Sequence, residues 1–369
     1  MSVFEFECAG CGAALTAPLS QVALPVHAHQ TYGNGAQLPV LMEPGTFAVD
    51  PEPWGPPWRM WEDVDPDEAT ARGIYAPVHA LSDGPPGTIA VAPGDTRGTL
   101  LIPENGSGAC CGLGGGDGPN MACEACGLPV ATRVDDCSQW QVVWLAPNAV
   151  RRRLVDNTGV APCSWAELMA AGRSTPPFAS IPRWGDRSGG PHHHWSWSPQ
   201  WDAAAGRALA HLLVASRGGP VTVPHGLVEE VFQRALDTLL PAGPAPRPAV
   251  LAGPGLPVPD VHADILIVPT HPQTAEVWAP DGAATSAYLV PLPFGVWLVL
   301  AFPAPHLPNP ASGVMPAGVL RDDPPLPRAR HRFRVDEYVF RHTLARLPAV
   351  GAPWLREILE ERTRHSRFF

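Results

Sequence analysis

The sequence predicts an α+β protein, with a β-rich N-terminal domain and a C-terminal domain of about four helices and a small antiparallel sheet. Three observations carry this expectation. Short apolar runs bounded by Gly and Pro crowd the first half, apolar residues at helical spacing appear only in the second, and the strand–helix alternation of a doubly wound sheet is missing. The chain has 369 residues, room for two domains. Its 47 Pro and 36 Gly are nearly twice the usual combined share, so loops are many and long helices few.

In chain order, Gly45 to Pro51 and Gly87 to Pro93 each open on a Gly and close on a Pro around an apolar run, the pattern of a brief strand. Gly98 to Ile102 and Trp140 to Leu145 are further strands. Trp54, Trp58 and Trp61 stand among prolines and read as plugs of a small core. Ser164 and Glu167 have the reciprocal spacing of a capping box, predicting a short helix to Ala171. The polar, Pro- and Gly-rich tract 173–200 reads as a linker between domains 1–172 and 201–369. Beyond it, Asp202 is expected to cap a helix bearing Leu209, Leu212 and Leu213. Pro224 is expected to open a second helix whose Val228, Val231, Phe232, Ala235 and Leu239 share one face. Strands follow at Ile265 to Val268, Thr274 to Trp278, Ala287 to Val290 and Val296 to Phe302, the last two joined as a hairpin through Pro291 to Gly295. Two helices, from about Asp336 to Leu347 and Pro353 to Arg364, close the chain.

Charge and composition exclude several function classes. All 25 basic residues are Arg, which rules out a Lys Schiff base and a P-loop and fits a GC-rich bacterial genome. Net charge is -10, and the first 150 residues hold 4 Arg against 17 Asp and Glu, which repels phosphate backbones and argues against nucleic-acid binding. The acidic N-terminus lacks the basic and apolar regions of a signal peptide. The uncharged stretch from Gly282 to Leu320 is broken by prolines, and its apolar core is far shorter than the ~20 residues of a spanning helix. A cytoplasmic, non-membrane protein is therefore expected. Thiols stay reduced in that compartment, so eight Cys argue for metal before disulfides.

Two segments carry the strongest chemical signal: Cys8-Ala9-Gly10-Cys11-Gly12 and Cys123-Glu124-Ala125-Cys126-Gly127. A CxxC turn can place two sulfurs on one ion, and the following Gly relieves the backbone where amides approach sulfur. The pair resembles the knuckles of a zinc ribbon. That resemblance implies Cys8, Cys11, Cys123 and Cys126 as ligands of a structural zinc, in a ribbon split by a long β-rich insertion. A local alternative combines Cys110 or Cys111 with Cys123, Cys126 and Cys137, and eight thiols suffice for two sites. The vicinal pair Cys110-Cys111 can also be read as a redox or metal sensor, and Cys163 as a buried small apolar residue.

The histidines offer less. His192-His193-His194 reads as an exposed polar tract, because consecutive imidazoles cannot all turn to one ion. His225 and Glu229 stand four apart and read as a surface helix pair. His27 with His29, and His262 with Asp264 and His271, are candidate ligand or acid–base groups by proximity alone. A turn is the simplest account of Asp135-Asp136-Cys137-Ser138. The expectation is a zinc-stabilised, non-catalytic interaction or accessory protein with a protein partner. The alternatives are a metal-dependent hydrolase using the C-terminal His residues, and a thiol sensor at Cys110-Cys111.

Overall fold

A computed structural model describes residues 2–32, 35–106, 109–157, 161–181, 194–258, 263–280, 287–303 and 332–365. The chain falls into two compact units. The first takes Met1–Glu167, His271–Glu276 and Arg341–Phe369; the second takes Leu168–Thr270 and Val277–Phe340. This division is more interleaved than 1–172 and 201–369, because the C-terminal segment belongs with the first unit. The tract 173–200 contributes strands to the second, and residues 182–193 within it lie outside the described residues.

The first unit is built from β1 (Ser2–Cys8), β2 (Leu19–Gln21), β3 (Thr46–Val49), β4 (Trp58–Met60), α1 (Pro66–Ala71), β5 (Ala80–Ser82), β6 (Ile89–Val91), β7 (Thr99–Leu101), β8 (Met121–Cys123), β9 (Pro129–Val134), β10 (Val142–Leu145) and β11 (Val150–Asn157). Nine strands form one sheet in the order β11-β1-β2-β3-β6-β10-β9-β8-β7, while β4 and β5 pair separately. All neighbours are antiparallel except β2 and β3. The strands expected around residues 45–51, 87–93, 98–102 and 140–145 are β3, β6, β7 and β10.

The sheet does not stay flat. Residues that follow the first cysteine pair reach across to those that lead into β7: Arg97 N–H donates to Leu15 O at 2.7 Å, and Ala17 N–H to Asp95 O at 2.8 Å. Thr16 and Thr96 form a bridge between these segments. The curl encloses an apolar core of Phe6, Leu15, Leu19, Phe47, Val91, Val130, Val143 and Leu145, and Cys8 and Cys123 belong to that core. Rolling the sheet buries the central strands, a common solution for a long antiparallel sheet without covering helices, while the end strands β7 and β11 stay largely exposed.

Two further segments complete this unit. Ser164 N–H donates to Glu167 Oε2 at 2.7 Å and Glu167 N–H to Ser164 Oγ at 3.3 Å, the predicted capping box, at the start of α2 (Trp165–Ala171), whose residues from Leu168 on are assigned to the second unit. The C-terminal part is tied to the loop after α1. Tyr75 N–H donates to Ala345 O at 2.8 Å, and Arg356 donates to Tyr75 O at 2.7 Å.

In the second unit β12 (Phe178–Ile181) pairs with β13 (His194–Trp197), and α3 (Pro199–Ser216) follows. Then come β14 (Val221–Thr222), α4 (Leu227–Leu239), β15 (Arg247–Leu251), β16 (Ile265–Thr270), β17 (Tyr288–Pro293) and α5 (Phe294–Ala301). The helix α3 starts at Pro199 behind Ser198, three residues before the expected cap Asp202. The chain closes with α6 (Glu337–Arg346) and α7 (Pro353–His365).

Two expectations are corrected here. The small sheet is parallel throughout, in the order β14-β15-β16-β17, not antiparallel. Residues 296–302, expected as a strand returning in a hairpin, instead lie in or just after the helix α5, so the C-terminal half holds five described helices rather than four. The cause is the same for both. A continuous apolar run has no period that separates a buried strand from a buried helix. The run in β16 is buried on both faces from Ile265 to Pro269, which is the signature of a covered parallel strand. Thr274 to Trp278 forms only an isolated bridge, between Thr270 and Val277.

Candidate metal centre

The two CxxCG segments fold into the same turn. Cys8 N–H donates to Ala13 O at 2.8 Å and Gly12 N–H to Cys8 O at 2.9 Å. In the second segment Cys123 N–H donates to Leu128 O and Gly127 N–H to Cys123 O, both at 2.8 Å. Gly12 and Gly127 have φ of +78° and +75°, a left-handed turn that a side chain resists. The free amides then point at sulfur: those of Gly10 and Cys11 donate to Cys8 Sγ, that of Ala13 to Cys11 Sγ, and that of Leu128 to Cys126 Sγ.

β1 and β8 carry these turns and stand six strand spacings apart in the sheet order, about 29 Å if the sheet were flat. The curl removes that distance. Cys8 Sγ lies 3.5 Å from Cys126 Sγ and Cys11 Sγ 3.6 Å from Cys123 Sγ, and all four sulfurs are within 4.8 Å of one another. Four sulfurs on a tetrahedral ion at ~2.3 Å sit about 3.8 Å apart, so the spacing fits a metal shell. The first cysteine of each pair is buried in the core and the second is exposed.

Charge within the cluster is divided unevenly. Burial pushes the Cys8 thiol up, but the amides of Cys11 and Gly10, with the thiols of Cys126 and Cys123, outweigh it and bring it down to about 7. Cys126 moves the other way. The Leu128 amide favours its thiolate, but the Cys8 and Cys11 thiols and burial push it up to about 12. Cys11 is raised too: the Ala13 amide and the Cys126 thiol lower it, and burial with Cys123 and Cys8 prevails. Four adjacent thiols cannot all ionise alone, whereas a dication at their centre favours the charged form of each.

A second cluster lies in the same unit. Cys110 Sγ is 3.2 Å from Cys111 Sγ and 3.6 Å from Cys137 Sγ, and the three sulfurs fall within 4.8 Å of one another. The structure thus separates Cys110, Cys111 and Cys137 from Cys123 and Cys126, which the local alternative had combined. Cys110 and Cys111 are exposed and Cys137 is buried. The Cys110 and Cys137 thiols and burial push Cys111 up to about 12, while the Gly35 amide, with the thiols of Cys111 and Cys110, lowers Cys137. Cys163 is exposed rather than buried and belongs to neither group.

The other candidates are accounted for locally. His225 Nδ1 lies 3.1 Å from Glu229 Oε2 on the surface. His271 accepts the amides of Gln273 and Thr274 on Nδ1, and its Nε2 donates to Cys163 O at 2.8 Å, so both ring nitrogens serve the backbone. Asp264 pairs with Arg247 at 3.2 Å. His262, His192 and His193 lie outside the described residues. Trp54 stacks on Trp144 at 4.9 Å, Trp61 packs beside the small cluster around Val64 and Leu81, and Trp58 is half exposed.

His27 and His29 do not share a strand face and join neither cysteine group. His27 is buried against Trp140 with Nε2 unpartnered, and burial pushes it down to about 3, so it is neutral. His29 Nε2 is 2.6 Å from Oδ2 of the buried Asp50, its ring stacked on Trp144. Nearby in sequence, Glu52 is gripped by Arg346 at 2.7 Å and His342 at 3.4 Å; burial opposes its charge, but these partners hold it down to about 2. Sequence reasoning missed both groups, because nothing in the spacing of these residues marks them as neighbours.

No protein-family model matches the chain, and neither a curated protein nor a solved structure matches it.

Proposed function

We propose that the chain is a zinc-stabilised, non-catalytic interaction or accessory protein of the cytoplasm, in which Cys8, Cys11, Cys123 and Cys126 hold one structural zinc ion as a split zinc ribbon. The observation that carries this reading is the convergence of four sulfurs from two identically folded CxxCG turns. An all-cysteine shell is closed: it leaves no coordination position for water or substrate, so its metal stabilises rather than catalyses. The hydrolase alternative has less support, since His225 and His271 are engaged by Glu229 and by backbone. A protein partner is favoured by the two end strands of the sheet, which present Leu100, Leu101, Leu154 and Val155 at 42–56% exposure, the apolar edges that strand addition uses.

Metal analysis of the purified chain tests this. The expected result is one zinc held by these cysteines and released by chelator only when the fold is lost. An ion that exchanges freely with chelator and supports hydrolysis would overturn it in favour of the alternative.

A further inference from the structure

The second cluster differs from the first in a way that points to its occupant. Its three sulfurs come from a vicinal pair and from one residue 27 positions later, and among the described residues no fourth ligand-type atom joins them. The carboxylate of Asp136 is already committed: its Oδ2 accepts the Cys110 amide at 3.2 Å and its Oδ1 the Cys111 amide at 2.7 Å. That grip fixes the backbone of both cysteines. A two-way bond between Leu113 and Asp135, at 3.0 and 2.7 Å, holds the two loop segments side by side. They approach so closely at Gly112 that a Cβ there would lie 2.0 Å from Asp135 O. The trio is therefore assembled by the backbone before any ligand arrives, with Cys137 at its base and Cys110 and Cys111 on the solvent side.

We propose that Cys110, Cys111 and Cys137 form a second metal site, a three-thiolate cradle open on one side, which takes a soft thiophilic ion of low coordination number, of the class of monovalent copper. Three sulfurs around an ion at the same metal–sulfur length of ~2.3 Å stand about 4 Å apart in a plane, within the spread observed here. Thiolates select soft ions, and a shell of three, with no fourth ligand among the described residues, suits an ion that prefers three-coordination to a tetrahedral one. Binding releases the thiol protons to solvent, and no electron is transferred. The open side lets a donor molecule deliver the ion and an acceptor remove it. This inference does not rest on the four-cysteine reading, since the two groups share no ligand.

The test uses the zinc-loaded full-length chain, reduced and free of oxygen, titrated with Cu(I) from a competing chelator while released zinc is measured. One Cu(I) is expected to bind per chain with the zinc retained. The exposed Cys111→Ser variant is expected to keep its zinc and lose copper affinity by ~100-fold or more. Asp136→Asn should weaken copper by roughly 10–100-fold, the usual cost of losing an outer-shell contact, and Cys163→Ser should change nothing. Copper that binds only as zinc leaves, or uptake unchanged in both Cys111→Ser and Cys137→Ser, would overturn the proposal. So would a second zinc that is lost in Cys111→Ser, because a tetrahedral ion would then be the occupant.

Discussion

Cys11 and Cys123 are 112 positions apart in the chain and Cys8 and Cys126 are 118, whereas Cys110 and Cys137 are separated by 27. A metal cross-link over roughly 100 residues would remove about 4.7 kcal/mol of entropy from the unfolded chain, and one over the shorter loop about 1.3 kcal/mol less. Burial widens the contrast. Cys8 and Cys123 are packed among Phe6, Leu15 and Val130 inside the curled sheet, while Cys110 and Cys111 lie on an exposed loop. The same side chain thus serves two purposes. In one place it brings together the far strands of a sheet, so that a metal held there would be coupled to the fold; in the other it decorates a loop that the backbone already holds.

This comparison breaks most visibly at Cys123. Cys123→Ser is expected to abolish the folded, soluble first unit and its zinc together, a loss of at least ~5 kcal/mol given what structural zinc contributes to small domains. Circular dichroism with bound-zinc analysis measures it, and a folded variant that retains its zinc would refute the shell. Next comes Cys11→Ser, which removes an exposed thiol of the proposed shell and leaves three. The expected outcome is a folded protein with weakened zinc and a lower melting temperature, by an amount smaller than for Cys123→Ser in the same thermal melt.

A third prediction separates acid release of metal from other acid effects. The native pKa of His27 is held at about 3 by burial, below the unfolded value of about 6.5. The unfolded chain therefore binds a proton that the folded one refuses. Stability falls as pH drops below about 6.5, by up to ~1.4 kcal/mol per pH unit, and this contribution levels off near pH 3. Denaturant unfolding of His27→Phe between pH 7 and 5 should show a shallower pH dependence than the parent; an unchanged slope would contradict it. The smallest effect belongs to Cys111→Ser, expected to shift stability by no more than ~0.5 kcal/mol without added metal, as for other exposed side chains. A melting temperature that falls as far as in Cys11→Ser would erase the distinction between the clusters.

How far these features were legible follows from the range of each signal. The two CxxCG segments carry their own geometry, a turn that a following Gly completes, so their resemblance to zinc-ribbon knuckles could name Cys8, Cys11, Cys123 and Cys126, while a local grouping with Cys110, Cys111 and Cys137 stayed open in the sequence. The place of Cys137 was only half visible. Its neighbours Asp135 and Asp136 look like a turn, and nothing in the sequence shows that Asp136 holds the amides of Cys110 and Cys111. Ser164 and Glu167 were readable because capping is local. The parallel sheet and the helix α5 were not, because in continuous apolar runs the decision between strand and helix is made by what covers them. The C-terminal segment's contact with Tyr75 spans 281 positions, and no local pattern encodes it.

The most direct measurement is X-ray absorption at the zinc edge, combined with metal stoichiometry, on the intact chain as purified. The account predicts one zinc per chain surrounded by four sulfurs at ~2.3 Å, with that signal lost in Cys123→Ser. A folded chain that holds no metal, or a zinc whose shell contains nitrogen or oxygen, would contradict it.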